Sequence, residues 1–237
     1  MIKIGKLHYE INRQLNRVHS DWKSDISVVD IDGYINQAKE IILENYNAIV
    51  ERNTTISNRL RSLEVKNKKL DLLETNSKTA IFKLPEDHYS TLNRRAIGNS
   101  KVCDKIDDIF LHNIQTHKIE ESIRDPKWTP NFHWRESFSN EDSKGLNIYH
   151  NNILVIKEAY IDYIKWIPDV ANVSDAKGIY VNADGETPTE NKHLLIDDPL
   201  LWRKFTDVAV YLIKRDFDDS YKENIDSILF NERNQIN

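Results

Sequence analysis

The chain has 237 residues, among them 6 Gly, 6 Pro, 1 Cys and 1 Met, with 33 Lys+Arg against 38 Asp+Glu for a net charge of -5. No glycines are spaced as G-x-G-x-x-G, G-x-x-x-x-G-K-[ST] or G-x-S-x-G, which excludes the common phosphate loops, the dinucleotide fingerprint and the nucleophile elbow. A lone Cys103 excludes an internal disulfide, the mixed charge lacks the basic footprint of a nucleic-acid binder, and no apolar run is long enough to span a bilayer.

Leu7, Ile11, Leu15, Val18 and Trp22 recur at helical spacing, and Ile31, Ile35, Ala38, Ile42, Tyr46 and Ile49 do so again after a polar break at 23–27, which predicts two amphipathic helices. Asp30 and Asp32 are the candidate N-caps of the second, since a short carboxylate accepts the unpaired N–H groups of a first turn and suits the helix dipole. Residues 52–77 are polar with scattered leucines and read as a loop, a short helix around 56–63, or a projecting arm.

After Thr79, short β-branched and aromatic stretches alternate with turn signals. Gly98-Asn99, between 92–97 and 101–103, and Asn151-Asn152, between 146–150 and 153–166, are expected to be tight hairpin turns that need positive φ. Between them 106–114 reads as a strand, 118–124 as a short helix, and 125–140 as an irregular stretch carrying Trp128, Pro130, Phe132 and Trp134. Asn182-Ala183-Asp184-Gly185 marks a further turn.

Asp198-Pro199 supplies an N-cap and a proline in the first helical position, after which Trp202, Phe205, Ala209 and Leu212 form one apolar stripe. A last helix follows with Tyr221, Ile225, Ile228 and Leu229 on one face. The expected fold is α+β: an N-terminal and a C-terminal helix pair packed together, with a mostly antiparallel β-rich middle. The expected division is 1–78, 79–194 and 195–237, within one composite domain.

Searching these elements for chemistry predicts no catalytic residue, cofactor site or metal site. None of the 8 His begins H-E-x-x-H, and His112 and His117 are spaced to leave different faces of a helix. Asp30-Ile31-Asp32-Gly33 looks like half a calcium loop, but apolar Val28 stands where its first ligand is required. Glu120-Glu121, Asp107-Asp108 and Asp218-Asp219 read as solvated charge, and Cys103 beside Asp104 as a small buried hydrophobe. Arg94-Arg95 and the run from Lys66 to Lys69 lack the interleaved aromatics of a single-strand binding platform.

Trp128, Phe132, Trp134 and Phe138 are large apolar groups in one stretch, which either cap the core or meet another protein. Trp128, Phe132 and Trp134, with Tyr221, Ile225, Ile228 and Phe230 of the last helix, are the candidate interface residues. An enzyme reading would instead draw on His88 with Asp87 and Glu86, or on His133 with Glu136, and a third reading is a binding module that occludes a partner through the aromatic stretch.

Phe82-Lys83-Leu84-Pro85-Glu86-Asp87-His88-Tyr89 resembles the LP-x-D-Y segment of ring-forming head-to-tail connector proteins of short-tailed phages. Tyr163-Ile164-Lys165-Trp166-Ile167-Pro168 resembles the Y-x-R-x-P strand end of ring proteins of crAss-like phages. As in that family, a turn-rich stretch follows, then Leu195-Ile196-Asp197-Asp198-Pro199, a helix over 206–217, and a last helix ending Asn231-Glu232-Arg233-Asn234. The span from Arg124-Asp125-Pro126 to Trp134 stands where the family carries a dP…P loop. The chain departs from the pattern where His88 separates Asp87 from Tyr89, Lys165 replaces the common Arg, and Ile167 separates Trp166 from Pro168.

The resemblance covers Leu7 to Asn234 as an order of elements. It implies a virion structural protein, not an enzyme, that needs no cofactor and forms a ring of twelve copies beneath the portal. Its implied partners are further copies of itself, the portal protein, other tail or ring proteins, and DNA that passes without sequence-specific binding. The implied location is the portal and tail vertex of the virion after synthesis in the host cytoplasm, with no membrane contact. An acidic balance suits a channel wall along which phosphates must slide.

Overall fold

The computed structural model describes residues 3–16, 26–46, 61–102, 105–115, 118–119, 129–151, 153–176, 179–182, 185–194, 196, 199–217 and 225–230. The fold is α+β and divides into two compact units, one made of Met1–Ser62 with Ile167–Asn237 and the other of Leu63–Trp166.

The first unit is helical. Its described α-helices are α1 (Ile4–Asn16), α2 (Val28–Glu44), α3 (Pro199–Phe217) and the short α4 (Ile225–Phe230). On α1, Ile4, Leu7, His8, Ile11 and Leu15 form the buried stripe. On α3, Leu201, Trp202, Phe205, Val208, Ala209, Leu212 and Ile213 are buried, and Thr206 and Val210 extend that burial around the helix. A helix buried on so much of its circumference takes the centre. Accordingly α1, α2 and α4 all pack on α3, so both ends of the chain contribute to one core. Gln14 of α1 donates to Asp207 at 3.1 Å, Tyr34 of α2 donates to Asp216 at 3.1 Å, and the Lys6 ammonium lies 5.3 Å from the Trp202 ring centre.

The start of α2 corrects the expected caps. Ser27 is the N-cap: its hydroxyl accepts the Asp30 N–H at 3.1 Å, and the Asp30 carboxylate accepts the Ser27 N–H at 3.2 Å. Asp30 is therefore the third helical residue of a capping box. Asp32 lies one turn too far along to reach the free N–H groups and is buried instead.

The second unit is a barrel of seven described strands: β1 (Glu64–Thr75), β2 (Thr79–Lys83), β3 (His88–Ser100), β4 (Ile106–Asn113), β5 (Glu136–Asp142), β6 (Gly145–Tyr149) and β7 (Leu154–Lys165). They close in the order β1-β2-β6-β5-β4-β3-β7, with β7 against β1. Every pairing is antiparallel except β4 with β5, which is parallel. Leu70, Phe82, Ala96, Ile109, Leu146, Ile148, Leu154, Ile161 and Tyr163 are among the residues that fill the interior. Each described strand has a neighbour on both sides, although β1, β3 and β4 pair with those neighbours over only part of their length.

Several sequence expectations are corrected here. Residues 64–75, expected as part of a loop, helix or arm, form β1, and 52–60 lie outside the described residues. Only Leu70 of β1 is buried, so the strand shows none of the alternation that betrays a half-buried strand. The described strands begin at Glu64 and end at Lys165. Gly98-Asn99 is not a turn but the interior of β3. A Cβ on Gly98 would stand 2.6 Å from Leu154 Cδ1 and 2.8 Å from Ile109 Cγ1, so glycine is there to let strands carry large side chains into the barrel.

Asn151-Asn152 does not close a hairpin, because β6 and β7 are not neighbours in the barrel. Asn151 instead turns the chain over the barrel end, accepting the N–H groups of Ile153 at 2.9 Å and Leu154 at 2.7 Å and donating to the Pro130 carbonyl at 2.6 Å. Within the stretch expected to be irregular, 136–142 form β5. Its Ser137, Phe138, Ser139 and Asn140 are all buried, so polar residues sit where an inward apolar set was sought. The predicted strand over 106–114 is β4, and the turn at Asn182 closes with Gly185 at φ +80 and its N–H on the Asn182 carbonyl at 3.0 Å. The expected helix over 118–124 and Cys103 fall almost wholly outside the described residues.

Candidate functional site

The candidate interface residues are placed as follows. Trp128 and Tyr221 lie outside the described residues, and Phe230 ends α4 with its side chain outside them. Phe132 is half-buried against the barrel core, whereas Trp134 is 70% exposed in the turn that leads into β5. Ile225 is half-buried and Ile228 is buried in the helical unit.

The two segments that carry the family resemblance meet at one end of the barrel. β1 and β7 are neighbours, with Glu64 opposite Ile164, so the barrel unit begins and ends on adjacent strands. The β2–β3 turn lies at the same end. Its Asp87 accepts the Tyr163 hydroxyl at 2.8 Å through the carboxylate and the Trp166 N–H at 2.6 Å through the carbonyl. The His88 and Tyr163 rings are 5.5 Å apart, and those of Tyr89 and Trp166 are 5.4 Å apart. Burial, followed by the hydrogen bond to Asp87, pushes the Tyr163 hydroxyl up to about 12. A neutral donor is therefore held on a carboxylate over the whole physiological range, which makes this neck a lock rather than an acid–base pair.

A second lock was missed by sequence reasoning. Asp32, Asn36 and Lys39 follow one another at helical spacing on α2, and Asp169, Val170, Asn172 and Tyr180 meet them. Asp32 is 1% exposed. It accepts His8 Nε2, the Asn172 N–H and the Tyr180 hydroxyl, each at 2.7 Å. The Asn36 amide pairs with the Val170 backbone in both directions, accepting at 2.9 Å and donating at 3.3 Å, and the fully buried Lys39 ammonium binds Asp169. Burial and the Asp32 carboxylate both raise the Tyr180 hydroxyl far above its ordinary range. The available signal was a polar i, i+4, i+7 series beside the apolar stripe of Ile31, Ile35 and Ile42, which marks a helix with two covered faces.

The groups considered for an enzyme do not converge. His88 Nε2 is on the Thr91 hydroxyl at 2.7 Å, Asp87 is on Tyr163, and Glu86 reaches Lys83 at 3.5 Å. His133 packs edge-on against Trp134 at 5.3 Å, while Glu136 faces His112 at 3.6 Å. Among the described residues no three His, Cys, Asp or Glu side chains are grouped to hold a metal ion, and no helix is long and apolar enough to cross a membrane. Neither the protein-family models nor the curated proteins compared with the chain gave a match.

Proposed function

We propose that the protein is a structural ring component of a bacteriophage portal–tail connector. Copies of it would form a twelve-membered ring that extends the DNA channel and joins the portal to the tail. The observation that carries this reading is the neck. The segments 82–89 and 163–168, which resemble connector motifs far apart in sequence, are tied to each other by Asp87, Tyr163 and Trp166. Segments that meet and lock are what a shared architecture requires of its recurrent positions, whereas matches that arise by accident carry no reason to be adjacent.

Two further features fit. Helices from both chain ends share one core, and the carboxylates of Asp32 and Asp87 are spent on internal locks. Such a protein acts through its surfaces and has its activity in assembly. The net charge of -5 suits a wall past which DNA slides.

The test is to produce the full chain alone and together with any portal protein encoded beside its gene, and to measure mass and symmetry by mass photometry and electron microscopy. Closed rings, alone or seated on the portal, are expected. A chain that stays monomeric in both settings would overturn the reading, as would a genomic neighbourhood with no portal or tail genes.

A further inference from the structure

We draw no further inference here: the strongest candidate, the groove of about 480 Å³ beside α2 lined by Asp30, Asp32, Glu40, Asp169 and Asp216, is an acidic cluster in which Asp32, Asp169 and Asp216 are already engaged by His8, Lys39 and Arg215, and no other feature of the described residues points to a ligand there.

Discussion

Removing the carboxylate of Asp32 is the most informative single perturbation of the helical unit. In Asp32→Ala three buried donors lose their acceptor at once: His8 Nε2, the Asn172 N–H and the Tyr180 hydroxyl, all now at 2.7 Å. His8 and Tyr180 are 4% exposed and Asn172 is 1% exposed, so water cannot replace the lost oxygen without local opening. At about 1–3 kcal/mol for each buried group left unpaired, and allowing for relaxation around a small cavity, the loss should be about 4 kcal/mol. That is a large share of the ~5–15 kcal/mol that holds an ordinary domain together.

Asp32→Asn keeps an acceptor but turns a donor toward one partner, and should cost about half as much. Denaturant unfolding gives the totals, and hydrogen exchange at the Asn172 amide gives the local effect. Asp32→Ala should also make Tyr180→Phe nearly free, because the hydroxyl it deletes no longer has a partner. A loss below about 1 kcal/mol with the Asn172 amide still protected would refute the network's role.

Three further outcomes follow from the same locks and from the barrel. Tyr163 is pushed up from its ordinary 10.0 to about 12, and Tyr180 is raised as well, so the folded state holds protons that an unfolded chain releases. Their contribution is complete below pH 10 and is lost as pH rises through the folded values. Denaturation midpoints should therefore fall between pH 10 and about 12, less so in Tyr163→Phe, and a flat profile would refute the assignment. Burial lowers His88 and His150 from their ordinary 6.5, so that contribution is complete above 6.5 and lost as pH falls. Neither ring nitrogen of His150 makes a hydrogen bond of good geometry among the described residues, although the backbone of Asn151 and Thr79 is near enough to favour the charged ring somewhat. His150→Leu should thus keep or raise neutral stability and flatten the acid slope, and a loss above about 2 kcal/mol at neutral pH would show a hydrogen bond in use. Gly145→Ala should cost more than Gly98→Ala, whose neighbours are yielding side-chain ends and whose loss should be about 1–3 kcal/mol. At Gly145 the new Cβ would meet the Phe82 carbonyl oxygen at 2.2 Å with φ at +141, and equal melting shifts for the two variants would refute this ranking.

The helices were legible in the sequence because each buries one stripe, and the stripe repeats at 3.6 residues. Trp202, Phe205, Ala209 and Leu212 are buried as a set, as are Ile31, Ile35, Ala38 and Ile42. The barrel was legible only as β-rich. Its strands carry inward polar residues such as Ser139, a glycine kept for space at Gly98, and a long strand with one buried side chain, so neither alternation nor turn residues locate their ends. Gly98-Asn99 and Asn151-Asn152 misled for one reason: both pairs suit positive φ, but here Gly98 makes room inside the barrel and Asn151 caps its end. No local pattern announces that β6 and β7 part company to opposite sides of a closed sheet.

The same contrast holds for the site. Asp87 and Tyr163 stand out in the sequence only as members of two short motifs, and their 2.8 Å hydrogen bond comes from the pairing of β3 with β7, which brings residues 76 apart into one neck. Trp134 was visible as an aromatic in a polar setting, but Phe110 was not, because on a strand an outward Phe is indistinguishable from an inward one until register is known. Register decides it: Phe110 stands opposite Glu136 and Arg95 in its two ladders while Ile109 fills the interior, so a shift of one residue would exchange the exposed aromatic for a buried one. An exposed side chain defined by register is therefore invisible to a motif search.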